Sequence, residues 1–176
     1  MTQNNLEIIE GFPANVKRVY DTAFTLANRE LKLHVVDSSV VLLAIIKLGD
    51  GNSSARWLHS TGLTSTATQR FIMEDFTSHE EDNQVKNCQN NHRPIPVSAI
   101  CTQPIIKTLR YLRGLSEKSR TNGGPHVAHI LEAITYSGSP TVERIFCSVG
   151  LGMIDVRSKL NVPSITDLKK LHARRN

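Results

Sequence analysis

The chain has 176 residues, of which 39% are hydrophobic, 21% are charged and only 5% are aromatic. This composition predicts a compact globular protein with an aliphatic core, and no apolar run reaches the ~20 residues that a membrane-spanning helix needs. The net charge of +5 is modest, and aromatic residues are not interleaved with it as a stacking surface for nucleic acid requires. DNA or RNA binding is therefore a low-ranked alternative.

The first residues of the chain and its cysteines indicate the cellular compartment. The first residues, "MTQNNLEIIEGF", lack the basic start and apolar stretch of a signal peptide. The three cysteines, Cys88, Cys101 and Cys147, form no paired spacing, which predicts free thiols in a reducing compartment. We expect a cytoplasmic protein, or a protein of the plastid stroma if the chain is a plant accessory protein.

Four helices are predicted in the first half, each separated from the next by a polar cap or a glycine turn. Pro13 suits an early position of the first helix, and Asp37 or Ser38 is expected to cap the second, "VVLLAIIKL". That helix is apolar nearly all round, so it should be buried on several sides. Ser53 or Ser54 can cap the third helix, which ends at Gly62. Thr64 or Ser65 can cap the fourth, "TATQRFIMEDF".

A polar, asparagine-rich stretch at 77–97 is predicted to be a linker, after which the helical pattern restarts. A stripe from Ile105 to Leu115 predicts one helix, and "HVAHILEAIT", "TVERIFCSVG" and "GMIDVRSKL" predict three more. The two halves match in order, with "AIIKLGDGNSSARWLHSTGL" opposite "AITYSGSPTVERIFCSVGL". Such an internal duplication predicts two units that bury a shared core. We therefore expect an all-α, pseudo-two-fold bundle of about eight helices.

The duplicated pattern resembles the double Clp-N motif, the N-terminal domain of Clp ATPases. "FPANVKRVYDTAFTLA" and "CTQPIIKTLRYLRGLS" resemble the opening helix of the motif in the two repeats. "VDSSVVLLAII" and "AHILEAI" resemble its apolar helix, "V-G-T-E-H-L-L-L-A-L-L". The resemblance places repeat 1 at 12–76, the linker at 77–97, repeat 2 at 98–160 and a basic tail at 161–176.

The family positions associated with substrate recognition supply the candidate partner-binding residues. The glutamate that usually precedes the motif histidine is Ser39 in repeat 1 and Ala128 in repeat 2, so neither can offer a carboxylate to a phosphorylated arginine. The motif histidine is Val40 in repeat 1 and remains a histidine only in repeat 2. The candidates are Pro13, Ser39, Val40, Thr102, Ala128 and His129.

No catalytic or metal site is predicted. The serines, cysteines and histidines form no recognisable nucleophile motif. Cys147 lies on an apolar stripe where a buried, inert thiol is expected. Cys101 precedes a helix start that can lower a thiol pKa, but an inert thiol is expected there too. His79, Cys88, His92 and Cys101 lack the tight paired spacing of a structural zinc site. No cofactor is expected, and no G-x-x-x-x-G-K-[ST] phosphate loop is present.

The resemblance implies a protein-binding module without catalysis, whose partner would be a Clp ATPase, a Clp protease core, an adaptor or an unfolded substrate. It would dock adaptors or substrates for a Clp chaperone or protease system. The alternative is a stand-alone accessory subunit that regulates Clp protease assembly, which an initial methionine and a basic tail favour slightly. In both cases an apolar groove between the repeats is the expected place of capture.

Overall fold

The computed structural model describes residues 9, 11–33, 35–84, 100–118 and 125–160. In these ranges the chain forms an all-α bundle, as predicted, with one two-residue parallel strand pair. A π-helical turn, Leu26–Leu31, continues the first helix, and the strands are β1 (Val35–Val36) and β2 (Ile100–Cys101). The helices are α1 (Ala14–Thr25), α2 (Ser38–Lys47), α3 (Ser53–Ser60), α4 (Ser65–Gln84), α5 (Gln103–Lys118), α6 (Val127–Thr135), α7 (Pro140–Cys147) and α8 (Met153–Leu160).

Helix α2 is the centre of the core. Its N-terminus is capped by Asp37, whose Oδ1 accepts hydrogen bonds from the backbone N–H groups of Ser39 at 3.0 Å and Val40 at 2.9 Å. Every side chain from Ser38 to Ile46 is at most 2% exposed. The prediction of a capped helix buried on several sides is confirmed, because an all-round apolar helix is stable only where neighbours cover every face.

The helices of the first half recur in the same order in the second half. Helices α1 and α5 begin at residues 14 and 103, and helices α2 and α6 begin at 38 and 127, an offset of 89 in both cases. The third helix of each half is followed within three residues by a glycine with positive φ, Gly62 at 88° and Gly150 at 75°. Only glycine adopts this conformation without strain, which makes it a common helix terminator.

The two halves pack as one body around this core. Val35 pairs with Ile100 and Val36 with Cys101 in parallel register, so the chain leading into α2 lies beside the chain leading into α5. On another side α4 contacts α7. There the Thr141 hydroxyl donates to Asp75 Oδ2 at 2.6 Å, and Arg144 lies 3.8 Å from Asp75 Oδ1.

Two local predictions differ from the structure, and one open alternative is settled. Asn52, rather than Ser53 or Ser54, caps α3, because its Oδ1 accepts from the N–H groups of Ser54 and Ala55. Thr64 supplies the oxygen at the start of α4, as one of the two alternatives had it. Helix α4 runs to Gln84, eight residues into the predicted linker, because the glutamates and glutamine of that stretch are good helix formers despite their polarity. The rest of the linker (85–97) and the tail (161–176) lie outside the described residues.

Candidate functional site

A cleft of about 390 Å³ opens between α5 and the end of α6. One wall is the outer face of α5. The other is the last turn of α6 and the two residues that follow it. The lining residues are Pro104, Lys107, Thr108 and Tyr111 on the first wall, and Ala133, Tyr136 and Ser137 on the second.

Helical spacing explains why these residues meet at one surface. On α5 the lining positions are separated by three or four residues, as are those at the end of α6, and side chains at such spacing lie on one face of a helix. The opposite faces of both helices carry the core residues Ile105, Leu109, Ile130 and Ile134. The cleft walls are therefore fixed by the same amphipathic pattern that builds the core.

Tyr111 forms the inner part of the cleft and is half-buried. Burial raises the pKa of its hydroxyl, and the nearby Glu132 carboxylate raises this pKa further. The phenol is therefore neutral at physiological pH and can both donate and accept a hydrogen bond. Glu132 itself is 3% exposed and is not among the residues that line the cleft.

Tyr136 forms the outer part and is 44% exposed. Arg157 of α8 holds the backbone and the ring at this point. Its Nε donates to Thr135 Oγ1 at 2.9 Å, its Nη2 donates to the Thr135 carbonyl at 2.6 Å, and its guanidinium lies 3.9 Å from the centre of the Tyr136 ring. A cation at the C-terminus of a helix interacts favourably with the helix dipole and with its free carbonyls.

The charge around the cleft is positive. Lys107 and Arg110, one helical turn apart on α5, are exposed and form no ion pair with any described residue. Arg157 likewise bonds to neutral groups rather than to a carboxylate. None of the described residues that line the cleft is an aspartate or a glutamate. The site thus combines two tyrosine rings with Lys107 on one wall and Arg157 stacked on Tyr136 of the other.

The matching region of repeat 1 has a different chemistry. By the offset of 89 residues, Thr22 stands where repeat 2 has Tyr111, and Lys47 stands where it has Tyr136. Lys47 is paired with Glu30 on the π-helical turn. An ion pair therefore occupies the position that is an exposed aromatic ring in repeat 2, and the two repeats are not equivalent as binding surfaces.

Two of the residues predicted to bind a partner do not reach the surface. Ser39 and Val40 are both 0% exposed, because the first turn of α2 is packed into the core. The Ser39 hydroxyl donates to Asp37 Oδ1 at 2.8 Å and so reinforces the helix cap. As folded, these two residues stabilise α2 and are covered by the core, and their predicted role in partner binding stays a prediction.

The other four predicted residues lie at helix starts and are half-buried. Pro13 precedes α1 at its N-cap position, rather than lying inside the helix. The Thr102 N–H donates to the Val36 carbonyl at 3.1 Å, which brings Thr102 next to the start of α2. Ala128 and His129 lie in the first turn of α6. None of the four lines the cleft, and their predicted role in partner binding stays a prediction.

The His129 side chain caps the first turn of α6. Its Nδ1 accepts a hydrogen bond from the backbone N–H of His126 at 3.0 Å, and the two imidazole rings stack with centroids 5.9 Å apart. Burial lowers the pKa of His129, and the neighbouring His126 lowers it further. The neutral imidazole therefore acts as a capping acceptor at a helix N-terminus, where a positive charge is unfavourable.

The Cys147 thiol differs from the sequence prediction, whereas the Cys101 thiol is inert as expected. Cys147 is exposed, because it lies just off the buried stripe formed by Val142, Ile145 and Phe146. Cys101 is buried, and desolvation raises its pKa to about 11, so its place before a helix start does not activate it. Within the described ranges no three histidine, cysteine or acidic side chains converge as metal ligands would. Cys88 and His92 lie outside those ranges.

Comparison with known proteins identifies the fold but no family. No protein-family model matches the chain, and no curated protein matches its sequence. One similar solved structure is a chain from structural investigations of a malarial protein secretion system. The two chains share 12% identity with a TM-score of 0.53, over 85% of this chain and 92% of the other. Such a likeness supports a common arrangement of helices.

Every helix in the described part of the chain is too short or too polar to cross a membrane.

Proposed function

We propose that this protein is a non-catalytic, Clp-N-like protein-binding module that docks adaptors or substrates for a Clp chaperone or protease system. The observation that carries the proposal is the open, tyrosine-walled cleft of repeat 2, built on a duplicated helical bundle. A concave site lined by aromatic and small polar groups on rigid helices is typical of surfaces that capture a polypeptide segment.

The duplication supports the same assignment. Four helices recur in order, and the sequence segments that resemble the Clp-N motif fall on α1, α2, α5 and α6. The similar chain from a malarial protein secretion system gives independent support for this arrangement of helices. A role in handling other polypeptides fits both the Clp-N resemblance and the similar solved structure. The proposal also places the protein in the cytoplasm or the plastid stroma.

The proposed site differs from the one that the sequence resemblance implies. It lies between α5 and α6 inside repeat 2, and its principal contacts are Tyr111 and Tyr136. Helix-start residues such as Thr102 and His129 are left at the periphery. In the alternative version of the proposal, the same cleft would hold a Clp protease subunit and regulate its assembly.

Affinity capture from source-cell lysate, with proteins identified by mass spectrometry, tests the proposal. The tagged wild type is expected to retain a Clp ATPase, a Clp protease subunit or a Clp adaptor. Tyr136→Ser should lose this partner, whereas Met73→Ser should keep it, because Met73 is a similarly exposed apolar residue on α4. Capture of no Clp component, or equal capture by the two variants, would overturn the proposal.

A further inference from the structure

The rim of the cleft carries exposed apolar area. Tyr136 is 44% exposed and Ile154 is 76% exposed, which is unusual for large hydrophobic side chains. Ile154 precedes Arg157 by three residues on α8, so the two lie on one face of that helix. Arg157 stacks on Tyr136, so this face of α8 is the one next to the outer tyrosine of the cleft. The exposed Tyr136 ring, together with Tyr111, can hold one apolar side chain of a ligand.

Cations flank the two tyrosine rings. Lys107 and Arg110 project from α5, Arg157 stacks on Tyr136 of the opposite wall, and no carboxylate is among the described lining residues. Each of these cations is without a carboxylate partner among the described residues. An anionic ligand would therefore gain new charge pairs without breaking existing ones, and such complementarity determines specificity more than raw affinity.

Repeat 1 lacks this concentration of positive charge. The matching pair to Lys107 and Arg110 is Arg18 and Asp21, one cation and one anion. Lys47, in the place of Tyr136, is neutralised by Glu30. The charge pattern is therefore specific to the cleft and does not follow from the overall net charge of the chain.

We propose that the cleft selects an extended acidic peptide segment, with an apolar side chain held at Tyr111 and Tyr136 and flanking carboxylates at Lys107 and Arg157. This inference rests on the proposed protein-binding function and adds the chemical class of the partner. The apolar side chain supplies the contact area, and the carboxylates fix the register of the segment across the two walls.

Fluorescence anisotropy with three labelled ten-residue peptides tests this selection. Each peptide has one leucine and one phenylalanine at its centre. The flanking residues are aspartate in the first, asparagine in the second and lysine in the third. The aspartate peptide is expected to bind the full chain about tenfold more tightly than the asparagine peptide, and this margin should shrink as salt is raised, because exposed charge pairs are screened. The lysine peptide should bind most weakly.

A pair of charge reversals localises the effect. Lys107→Glu should lower the affinity for the aspartate peptide by about fivefold to tenfold. Arg18→Glu makes the same change in net charge at the matching exposed position of repeat 1 and should leave this affinity unchanged. Both residues are exposed, so neither variant removes core packing.

Several results would overturn the inference. These are equal binding of the three peptides, absence of binding, or an equal effect of the two reversals. Tighter binding of a ten-nucleotide single-stranded RNA at the same site would also contradict it, because the cleft would then select polyanions rather than peptides. The outcome is separable from the proposed function. Charge-independent peptide binding with capture of a Clp component would remove only the acidic selectivity, and acidic selectivity without such capture would remove only the Clp assignment.

Discussion

The guanidinium of Arg157 lies 3.9 Å from the centre of the Tyr136 ring, and the same group donates two hydrogen bonds to Thr135. One side chain of α8 thereby ends α6 and orients an aromatic wall of the cleft. Cation–π contact and bonding to free helix carbonyls are both favourable. The shape of the site depends on an interaction outside the two helices that line it.

Removal of that side chain should therefore destabilise the bundle. Arg157→Gln is expected to lower the free energy of unfolding by about 1–3 kcal/mol, because the stack and the fork of hydrogen bonds are lost together. Arg157→Lys should retain only part of the lost free energy of unfolding, since an ammonium lacks the planar fork of donors. Chemical denaturation measures the effect. Arg110→Gln, on the exposed face of α5, is the control, and an equal loss in that control would contradict the assigned role.

The cap of α2 gives a second prediction. Asp37→Ala should lower the free energy of unfolding by about 1–2 kcal/mol, because the N–H groups of Ser39 and Val40 lose their acceptor. Burial raises the pKa of Asp37, so the cost of its charge grows as pH rises through the folded-state pKa. Asp37→Asn keeps an acceptor and removes the charge, and it should equal or exceed the wild type in stability at neutral pH. An asparagine variant as unstable as the alanine variant would contradict this.

His129 predicts an acid-sensitive first turn in α6. Its pKa is lowered in the folded state, so the unfolded chain takes up the proton first as pH falls. The contribution of the neutral His129 imidazole to stability is complete at pH values above the unfolded-state pKa of about 6.5. It is lost as pH falls from there through the folded-state pKa. His129→Gln keeps a capping acceptor without titrating. Its unfolding free energy should change less between about pH 7 and about pH 5 than that of the wild type, and parallel profiles would refute the assignment.

The contact between α4 and α7 can be tested by a double-mutant cycle. Thr141 is 3% exposed, and its hydroxyl bonds to Asp75. Thr141→Val should cost about 1–3 kcal/mol of unfolding free energy, because the half-buried Asp75 carboxylate loses a donor. In the Asp75→Asn background the same change should cost less, since the charge-assisted bond is already weakened. Strict additivity of the two substitutions would show that the bond does not couple the helices.

The thiols give a chemical test of the fold. In a Cys88→Ser background two thiols remain, and a thiol-reactive dye at about pH 8 should label Cys147 rapidly and Cys101 slowly. Cys101 is both buried and shifted to a pKa of about 11, so only about one thiolate in a thousand forms at that pH. Cys147→Ser should abolish the fast phase. A fast phase that survives this substitution would place Cys101 at the surface.

Where one residue type dominates a segment, the sequence was sufficient to predict the structure. The run that follows Asp37 has so few polar side chains that only a buried, capped helix satisfies it, and α2 is that helix. The start of α3 was harder, because Asn52, Ser53 and Ser54 are consecutive good caps and only the backbone determines which side chain precedes the first turn. Cys147 was predicted to be buried but is exposed, because each step of one residue along a helix turns the side-chain direction by about 100°.

The cleft could not be predicted from periodicity. Tyr111 and Tyr136 lie on different helices, and each sits on the polar side of an amphipathic pattern, where single aromatic residues are common. A signal was present in the comparison of the two repeats. At the matching positions Thr22 and Lys47 are replaced by tyrosines, so an exchange of polar for aromatic residues between duplicated units marked the site. The resemblance directed attention to helix starts such as Ser39 instead, which the packing of α2 buries.

Photo-crosslinking at two matched positions tests the central claim most directly. A benzoyl-phenylalanine replaces Tyr136 in one variant and Lys47, its repeat 1 counterpart, in the other, and both are expressed in source cells. The account predicts crosslinks to a Clp ATPase, a Clp protease subunit or a Clp adaptor from position 136 and none of these from position 47. Crosslinks from position 136 that contain no Clp component, or the same products from both positions, would contradict it.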